Sequence, residues 1–317
     1  MINLLYCANA KVFDGIMLSL LSATNKTKHP INAYIMTMDL KDLNQGFKPI
    51  EQAHIDLLNT VLKIENSSNQ VSLIDATKAF KEKMKESPNL NTKYTPYTLL
   101  RLLACEFDLP DRLLYVDADT MFNDDIYKIL DYDITEYELA GVIDHLGKRF
   151  IAKDYINAGV LYLNLEKIKE TKLFDRALDM CLNKTMVFPD QDAINELVTY
   201  KLILPREFNE QQKWRRTTII QHFAKTIRFF PVFKVTNIKQ WQIERVQKSL
   251  KLNAYDEVYK KFINYRSFLG RGLLEPLQDY PPLTWKEQHK FNINELKSYI
   301  SQNGGIFRKK RKQPKGV

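Results

Sequence analysis

A chain of 317 residues, 44% hydrophobic and 27% charged, has the composition of an ordinary soluble globular protein and can build a sizeable core without disulfides. Cys7, Cys105 and Cys181 lie far apart in apolar runs with no CxxC pair, which argues against a disulfide framework and for buried thiols in a reducing compartment. The formal net charge is +9, but it falls to +3 once Arg308, Lys309, Lys310, Arg311, Lys312 and Lys315 of the tail "IFRKKRKQPKGV" are set aside, so the basic character belongs mainly to an appendage.

The start, "MINLLYCANAKVF", lacks the basic region and long apolar stretch of a signal peptide, and no window approaches the ~20 apolar residues of a membrane span. A cytoplasmic protein is expected. Along the chain, "INLLYCA", "INAYIMTM", "VSLID" and "RLLYVD" read as strands. Between them "DGIMLSLLSA", "IEQAHIDLLNTVLKI", "ATKAFKEKMKE" and "TPYTLLRLLACEF" read as helices. "ELAGVID" and "YINAGVLYLNL" follow as strands, then one helix from about Glu166 to Asn183 and a strand near "TTIIQHF". This alternation predicts a mostly parallel sheet with helices on both faces. From about residue 236 the texture becomes helical and aromatic, interrupted by "EPLQDYPPLTW". The expected division is a catalytic domain over 1–235, a helical extension over 236–302 and a basic flexible tail over 303–317.

The strand "RLLYV" ends in Asp117-Ala118-Asp119. A D-x-D triplet means little alone, since Asp131/Asp133 and Asp190/Asp192 are two more. Position distinguishes the first. Side chains at i and i+2 of an extended segment point the same way, and ligands of open α/β sheets bind beyond the carboxyl ends of the strands. Two carboxylates that close repel unless a cation answers them, which suggests a divalent metal held by hard oxygen ligands. A polar strand exit whose aspartates cap the next turn is the plainer alternative. "YVDADTM" also matches the D-x-D-x-T pattern of haloacid-dehalogenase phosphotransferases, but over a hundred residues precede it and no acidic G-D-x-x-x-D partner follows. The other chemistry that uses two such carboxylates is nucleotide-sugar glycosyl transfer, where a Mn2+ or Mg2+ ion bridges them to a diphosphate.

Three later segments add to the second possibility. Asn157-Ala158-Gly159 interrupts an apolar strand, either to let a sugar approach the backbone or as a β-bulge. "FPDQDAINELV" is an acidic cluster or an ordinary helix start. His222 closes an apolar run as a possible third metal ligand, with Lys225 and Arg228 following as possible phosphate contacts.

With these motifs in order, the chain resembles the family 8 retaining glycosyltransferases, of GT-A fold, a group that includes bacterial lipopolysaccharide α-galactosyl- and α-glucosyltransferases and glycogenin. The resemblance spans Ile2 to about Arg228 and rests on "LLYVDAD", "YINAGVLYLN", "PDQDAIN" and the late histidine. It implies Asp117, Asp119 and His222 as metal ligands, and donor contacts from Asp117, Ala118, Asp119, Thr98 and Arg101. Asn157, Ala158, Asp190 and Gln191 would surround the transferred sugar, with Asp144 near sugar and acceptor. Cys7, Asn9 and Lys11 match the stretch that cradles uridine. Two departures stand out: the first loop reads "CANAKVF" instead of carrying an Asp and an Asn-Tyr pair, and the family's H-x-x-G-x-x-K becomes "HFAKTIR".

The resemblance implies transfer of glucose or galactose from a UDP-sugar to a hydroxyl of a glycan that is lipid-linked, part of a wall polymer or on a glycoprotein. No carboxylate is placed as an obvious nucleophile, so Gln191 is expected to stabilise an oxocarbenium-like state during same-face attack. A catalytically inactive sugar-nucleotide or glycan-binding partner is the non-enzyme alternative. The tail's cations, with Tyr280, Trp285, Phe291 and Phe307 before them, suggest a peripheral anchor on an anionic membrane, or a solvated tail. No stacking or groove-reading motif points to nucleic acid.

Overall fold

The computed structural model describes residues 1–310 apart from Lys93 and Phe230, without the side chains of Asn91 and residues 299–310. The last residues of the basic tail, 311–317, lie outside the described residues, and with them Arg311, Lys312 and Lys315. No helix among the described residues is long and apolar enough to cross a membrane.

The chain runs β1 (Ile2–Cys7), α1 (Phe13–Thr24), β2 (Ile31–Thr37), α2 (Gln52–Glu65), β3 (Gln70–Asp75), α3 (Thr77–Met84), β4 (Arg112–Val116) and β5 (Thr120–Phe122). It continues through β6 (Leu139–Ile143), α4 (Gly147–Phe150), β7 (Ile156–Asn164), α5 (Leu165–Thr171), α6 (Leu173–Asn183), α7 (Pro189–Leu197) and β8 (Lys201–Ile203). β9 (Ile220–His222), β10 (Thr226–Arg228), β11 (Lys234–Thr236), α8 (Ile243–Lys248), α9 (Asp256–Phe268) and α10 (Trp285–Lys310) complete it.

The seven-stranded sheet has the order β3-β2-β1-β4-β7-β6-β8. Every neighbouring pair is parallel except those made by β7, which runs against β4 and β6. The expected sheet is therefore present, and β1, β4 and β7 are buried on both faces as near-continuous apolar runs, as strands between two helical layers must be. One layer holds α1 and α2 with α9; the other holds α3, α6 and α7.

Two helical expectations change in detail. Pro96–Glu106 is a run of 3-10 turns instead of an α-helix. Side chains three apart eclipse in that geometry, which sets Thr98 and Arg101 on one face. The single helix expected from about Glu166 to Asn183 is two: Lys172 takes a left-handed conformation (φ 55°) that closes α5 and turns the chain so that Leu173 and Phe174 enter the core. The strand carrying Asn157-Ala158-Gly159 is bulged against β6, as one of the two readings expected: Gly141 pairs with Leu161 and Ile143 with Ile156, so residues 157–160 of β7 face Val142 alone. Beyond residue 236, Tyr255, Val258, Tyr259 and Phe262 join the core under α1, and Arg266 closes on Asp14 through Nε at 2.9 Å.

Candidate active site

β4 leaves the sheet centre at Val116, which pairs with Val160, and the next backbone N–H, of Asp117, donates to Gly159 O at 2.8 Å. The turn that follows is closed by Thr120, whose hydroxyl donates to Asp117 O at 2.8 Å and meets Ser19 and then Tyr6 in a buried chain. The threonine of D-x-D-x-T thus holds a turn. β5 then pairs antiparallel with β9, placing Thr120 opposite His222. That register carries the imidazole to the carboxylates one and three residues upstream of Thr120.

His222 Nε2 lies 3.2 Å from Asp119 Oδ1 and 3.8 Å from Asp117 Oδ2. Ligand atoms of all three residues fall within 4.8 Å of one another. The other oxygen of each carboxylate is already engaged. Asp117 Oδ1 accepts from Arg101 Nη2 (3.0 Å) and from the Tyr115 hydroxyl (2.5 Å). Asp119 Oδ2 takes Lys239 Nζ at 2.5 Å, and the same ammonium donates to Phe223 O at 3.0 Å. One oxygen of each aspartate and the imidazole nitrogen are left facing one another. Two hard oxygens and one imidazole nitrogen fit Mn2+ or Mg2+.

A chain of amides fixes which imidazole nitrogen faces in. The Asp144 carboxylate can only accept, so Asn157 Nδ2 donates to its Oδ2 at 2.8 Å. Asn157 Oδ1 must then accept, and it does so from Gly159 N and Asn209 Nδ2, each at 3.0 Å. This turns Asn209 Oδ1 towards His222, where it accepts from Nδ1–H at 3.2 Å. Nε2 is thereby the nitrogen that faces the carboxylates, and in the neutral ring it would present its lone pair there, the arrangement a metal-binding histidine needs.

The backbone is cut to fit. A Cβ on Gly159 would stand 2.2 Å from His222 Cε1 and 2.9 Å from Asp117 Oδ2. A Cβ on Gly15 would meet Ala118 O at 2.6 Å and the Trp241 ring at 2.7 Å, while Gln240 Nε2 holds Ala118 O at 2.6 Å.

Charge is balanced within the site. Burial alone would lift the Asp119 pKa, but Lys239 and His222 outweigh it and hold the carboxyl well below its usual range. Burial would lower the His222 pKa; Asp119 outweighs it, and the net shift is upward. Asp190 is buried, and that burial pushes its pKa up against the opposing pull of Arg101, whose Nε is 3.2 Å from Asp190 Oδ2. Arg101 itself is buried, lies 4.0 Å over the Tyr115 ring and also donates to Ala158 O. The repulsion between Asp117 and Asp119 is thus answered in part by Arg101 and Lys239.

Around this centre the structure gathers most of the residues named from sequence. Gln191 Oε1 accepts from Ala158 N at 2.9 Å, which pins α7 to β7. Thr98 is half-buried one 3-10 turn before Arg101. Cys7 ends β1 beside Arg101 and Asp117, and burial pushes its thiol up, so it is neutral and unsuited to nucleophilic attack. Asn9 is buried where β1 gives way to the turn before α1, and Lys11 is exposed on that turn. Asp144 Oδ1 accepts from Leu146 N (2.9 Å) and Gly147 N (2.6 Å), so this carboxylate also shapes the start of α4.

Among the described residues, neither Lys225 nor Arg228 makes an ion pair with Asp117 or Asp119. The Lys225 ammonium pairs with Glu295 of α10, and Arg228 is exposed on β10. The cation at the carboxylates is Lys239, which the reading of "HFAKTIR" passed over, as it did Asn209 and Gln240. The β10–β11 hairpin lies between His222 and Lys239 in the chain and separates the two in sequence while they meet in space. The "KQW" at Lys239–Trp241 was the available signal.

The pattern described as glycosyl transferase family 8 matches residues 3–242. A lipopolysaccharide 1,2-glucosyltransferase of Escherichia coli (strain K12) is 28% identical over 226 residues, covering 66% of this chain and 62% of that protein. Among solved structures, an active-site mutant of LgtC superposes with a TM-score of 0.62 at 17% identity, covering 82% of this chain and 95% of that one. The galactosyltransferase LgtC in complex with donor and acceptor sugar analogs gives 0.59 at 16% identity, covering 83% and 96%. At those identities the likeness speaks for the fold, which is GT-A. The family match replaces the phosphotransferase reading of D-x-D-x-T. With a pattern matched over three quarters of its length, the chain belongs to glycosyltransferase family 8.

Proposed function

We propose that this protein is a metal-dependent retaining hexosyltransferase that moves glucose or galactose from a UDP-sugar to a glycan hydroxyl. The observation that carries the reading is the convergence of Asp117, Asp119 and His222, with one face of each left towards a common point. The names of the relatives, a glucosyltransferase and a galactosyltransferase, support a hexose.

Asp117, Asp119 and His222 would hold Mn2+ or Mg2+, which when bound supplies positive charge to a departing diphosphate. Lys239, 2.5 Å from Asp119, is positioned to add a second cation to the phosphate oxygens. Arg101 keeps Asp117 and Asp190 in place. Cys7, Asn9 and Lys11 at the end of β1 line the uridine side, and Thr98 with Ala118 the donor's phosphates. Asn157, Ala158 and Asp190 surround the transferred sugar, with Asp144 near the acceptor.

Gln191 is held by Ala158 N through one lone pair of Oε1, leaving the second for positive charge developing at the anomeric carbon. An amide is a poor nucleophile, so the acceptor hydroxyl attacks from the face the diphosphate leaves. The departing phosphate oxygen takes its proton, the glycosidic bond forms as the sugar–phosphate bond breaks, and the configuration is kept.

The test is hydrolysis and transfer of UDP-glucose and UDP-galactose with Mn2+, read alongside donor binding. Gln191→Ala is expected to slow turnover and leave donor affinity unchanged. Full turnover in chelator would overturn the metal assignment. Donor binding without turnover on any glycan would favour the inactive binding partner.

A further inference from the structure

We propose that the β10–β11 hairpin and the α4 loop form a second, composite surface that docks on an anionic lipid bilayer beside the catalytic cleft. The two segments read "KRFIAK" (148–153) and "RFFPVFK" (228–234), each an aromatic and aliphatic centre bracketed by cations with no acid inside. They are eighty residues apart in sequence and meet in space. The Phe150 and Phe229 rings lie 5.7 Å apart edge-on, and Phe229 and Phe233 lie 5.9 Å apart.

The apolar centre is offered to the surroundings: Val232 is 66% exposed, Ile151 50% and Phe229 40%. Lys148, Arg149, Lys153, Arg228 and Lys234 are all exposed around it. Within the hairpin, Arg228 stands directly opposite Lys234. Like charges directly across a two-stranded ladder are destabilising unless an external anion answers them. Apolar residues ringed by cations match a bilayer interface, where rings enter the headgroup layer and cations meet anionic headgroups.

The fold holds this tip out from a fixed base. Val235 of β11 is buried; its N–H donates to Asn292 Oδ1 (3.0 Å), and its carbonyl accepts from Gln288 Nε2 (3.2 Å), both of α10. Placement beside the cleft follows from the chain: α4 begins three residues after Asp144, and β10 four residues after His222. A bilayer docked here would lie beside those two residues, and an acceptor carried on a lipid would be presented to them. That last step rests on the transferase reading; the docking itself does not.

The test is cosedimentation of the full chain, tail included, with phosphatidylcholine vesicles with and without phosphatidylglycerol. Wild type is expected to bind the anionic vesicles only. Removing cations as Arg149→Gln/Lys234→Gln should weaken partitioning about five-fold per charge. Ile151→Asp/Val232→Asp should weaken it at least as much, with melting temperature unchanged because both positions are exposed. A polarity-sensitive label on V232C should shift to the blue on anionic vesicles.

Wild-type binding by Ile151→Asp/Val232→Asp would assign lipid contact to the tail alone and overturn the proposal. So would failure of wild type to bind, equal binding to neutral vesicles, or an oligomer without lipid that those substitutions dissociate. No readout uses turnover, so failure here and failure of the transferase reading are distinguishable.

Discussion

His222 Nε2 sits 3.2 Å from Asp119 Oδ1 although the two residues are a hundred positions apart, because a three-residue pairing sets His222 opposite Thr120. The imidazole is delivered by backbone register and aimed by a side-chain amide. Asp119→Asn would leave the register intact and remove one ligand charge. Metal-dependent turnover should fall by about 10³-fold, the size of several kcal/mol of lost transition-state stabilisation. Turnover with and without chelator measures it, and a variant that stays chelator-sensitive at wild-type rate contradicts the assignment.

Asn209 touches no proposed ligand atom, yet it decides which imidazole nitrogen faces the carboxylates. Asn209→Leu should lower Mn2+ affinity by about 10–100-fold, as loss of an orienting partner does at metal histidines. Titration calorimetry reads this directly. Asn209→Asp, which keeps an acceptor for Nδ1–H, should recover part of the loss.

Gly159→Ala is a test of space alone. Its Cβ would fall 2.2 Å from His222 Cε1, in a strand that cannot move without breaking the pairing of Asp117 N with Gly159 O. A cost of about 1–3 kcal/mol in stability is expected, together with loss of Mn2+ binding. Urea unfolding and calorimetry on one preparation separate the two effects.

Lys239 and Lys225 make opposite predictions. Lys239→Ala should reduce kcat/KM for the donor by about 10²-fold, the scale for removing one charge-stabilising donor. Lys225→Ala breaks a pair with Glu295 instead of one with Asp117 or Asp119 and should leave kcat/KM within about two-fold, since such partly exposed pairs contribute little. Equal losses in the two variants would mean that the hairpin swings Lys225 into the cleft.

Phe262 of α9 is fully buried in the core that also contains Ile16, Leu20 and Phe122. Phe262→Ala should cost about 3–5 kcal/mol. Because α9 packs on α1, the loss should lower the midpoint of a single transition read by both circular dichroism and tryptophan fluorescence.

The sheet and the carboxylate pair were legible because both are written in local patterns. β1 and β4 are short apolar runs bounded by turn residues, and the side chains of Asp117 and Asp119 share a side by the two-residue period of extended chain. The helix over Glu166–Asn183 was misread because Lys172 has no intrinsic preference for a left-handed conformation; the burial of Leu173 and Phe174 imposes it. Lys239 was passed over for the same kind of reason. The β10–β11 hairpin separates it from His222 in the chain, so no local spacing links the two.

The amino-acid sequence alone determined the alternation of strands and helices, the position of D-x-D at a strand's end and the family, since each depends on neighbours within a few residues. Only the tertiary structure decided which cation answers Asp119, which nitrogen of His222 faces inwards and why position 159 is glycine. Those depend on atoms brought within 4 Å by strand register and helix packing, and no local period records such distances.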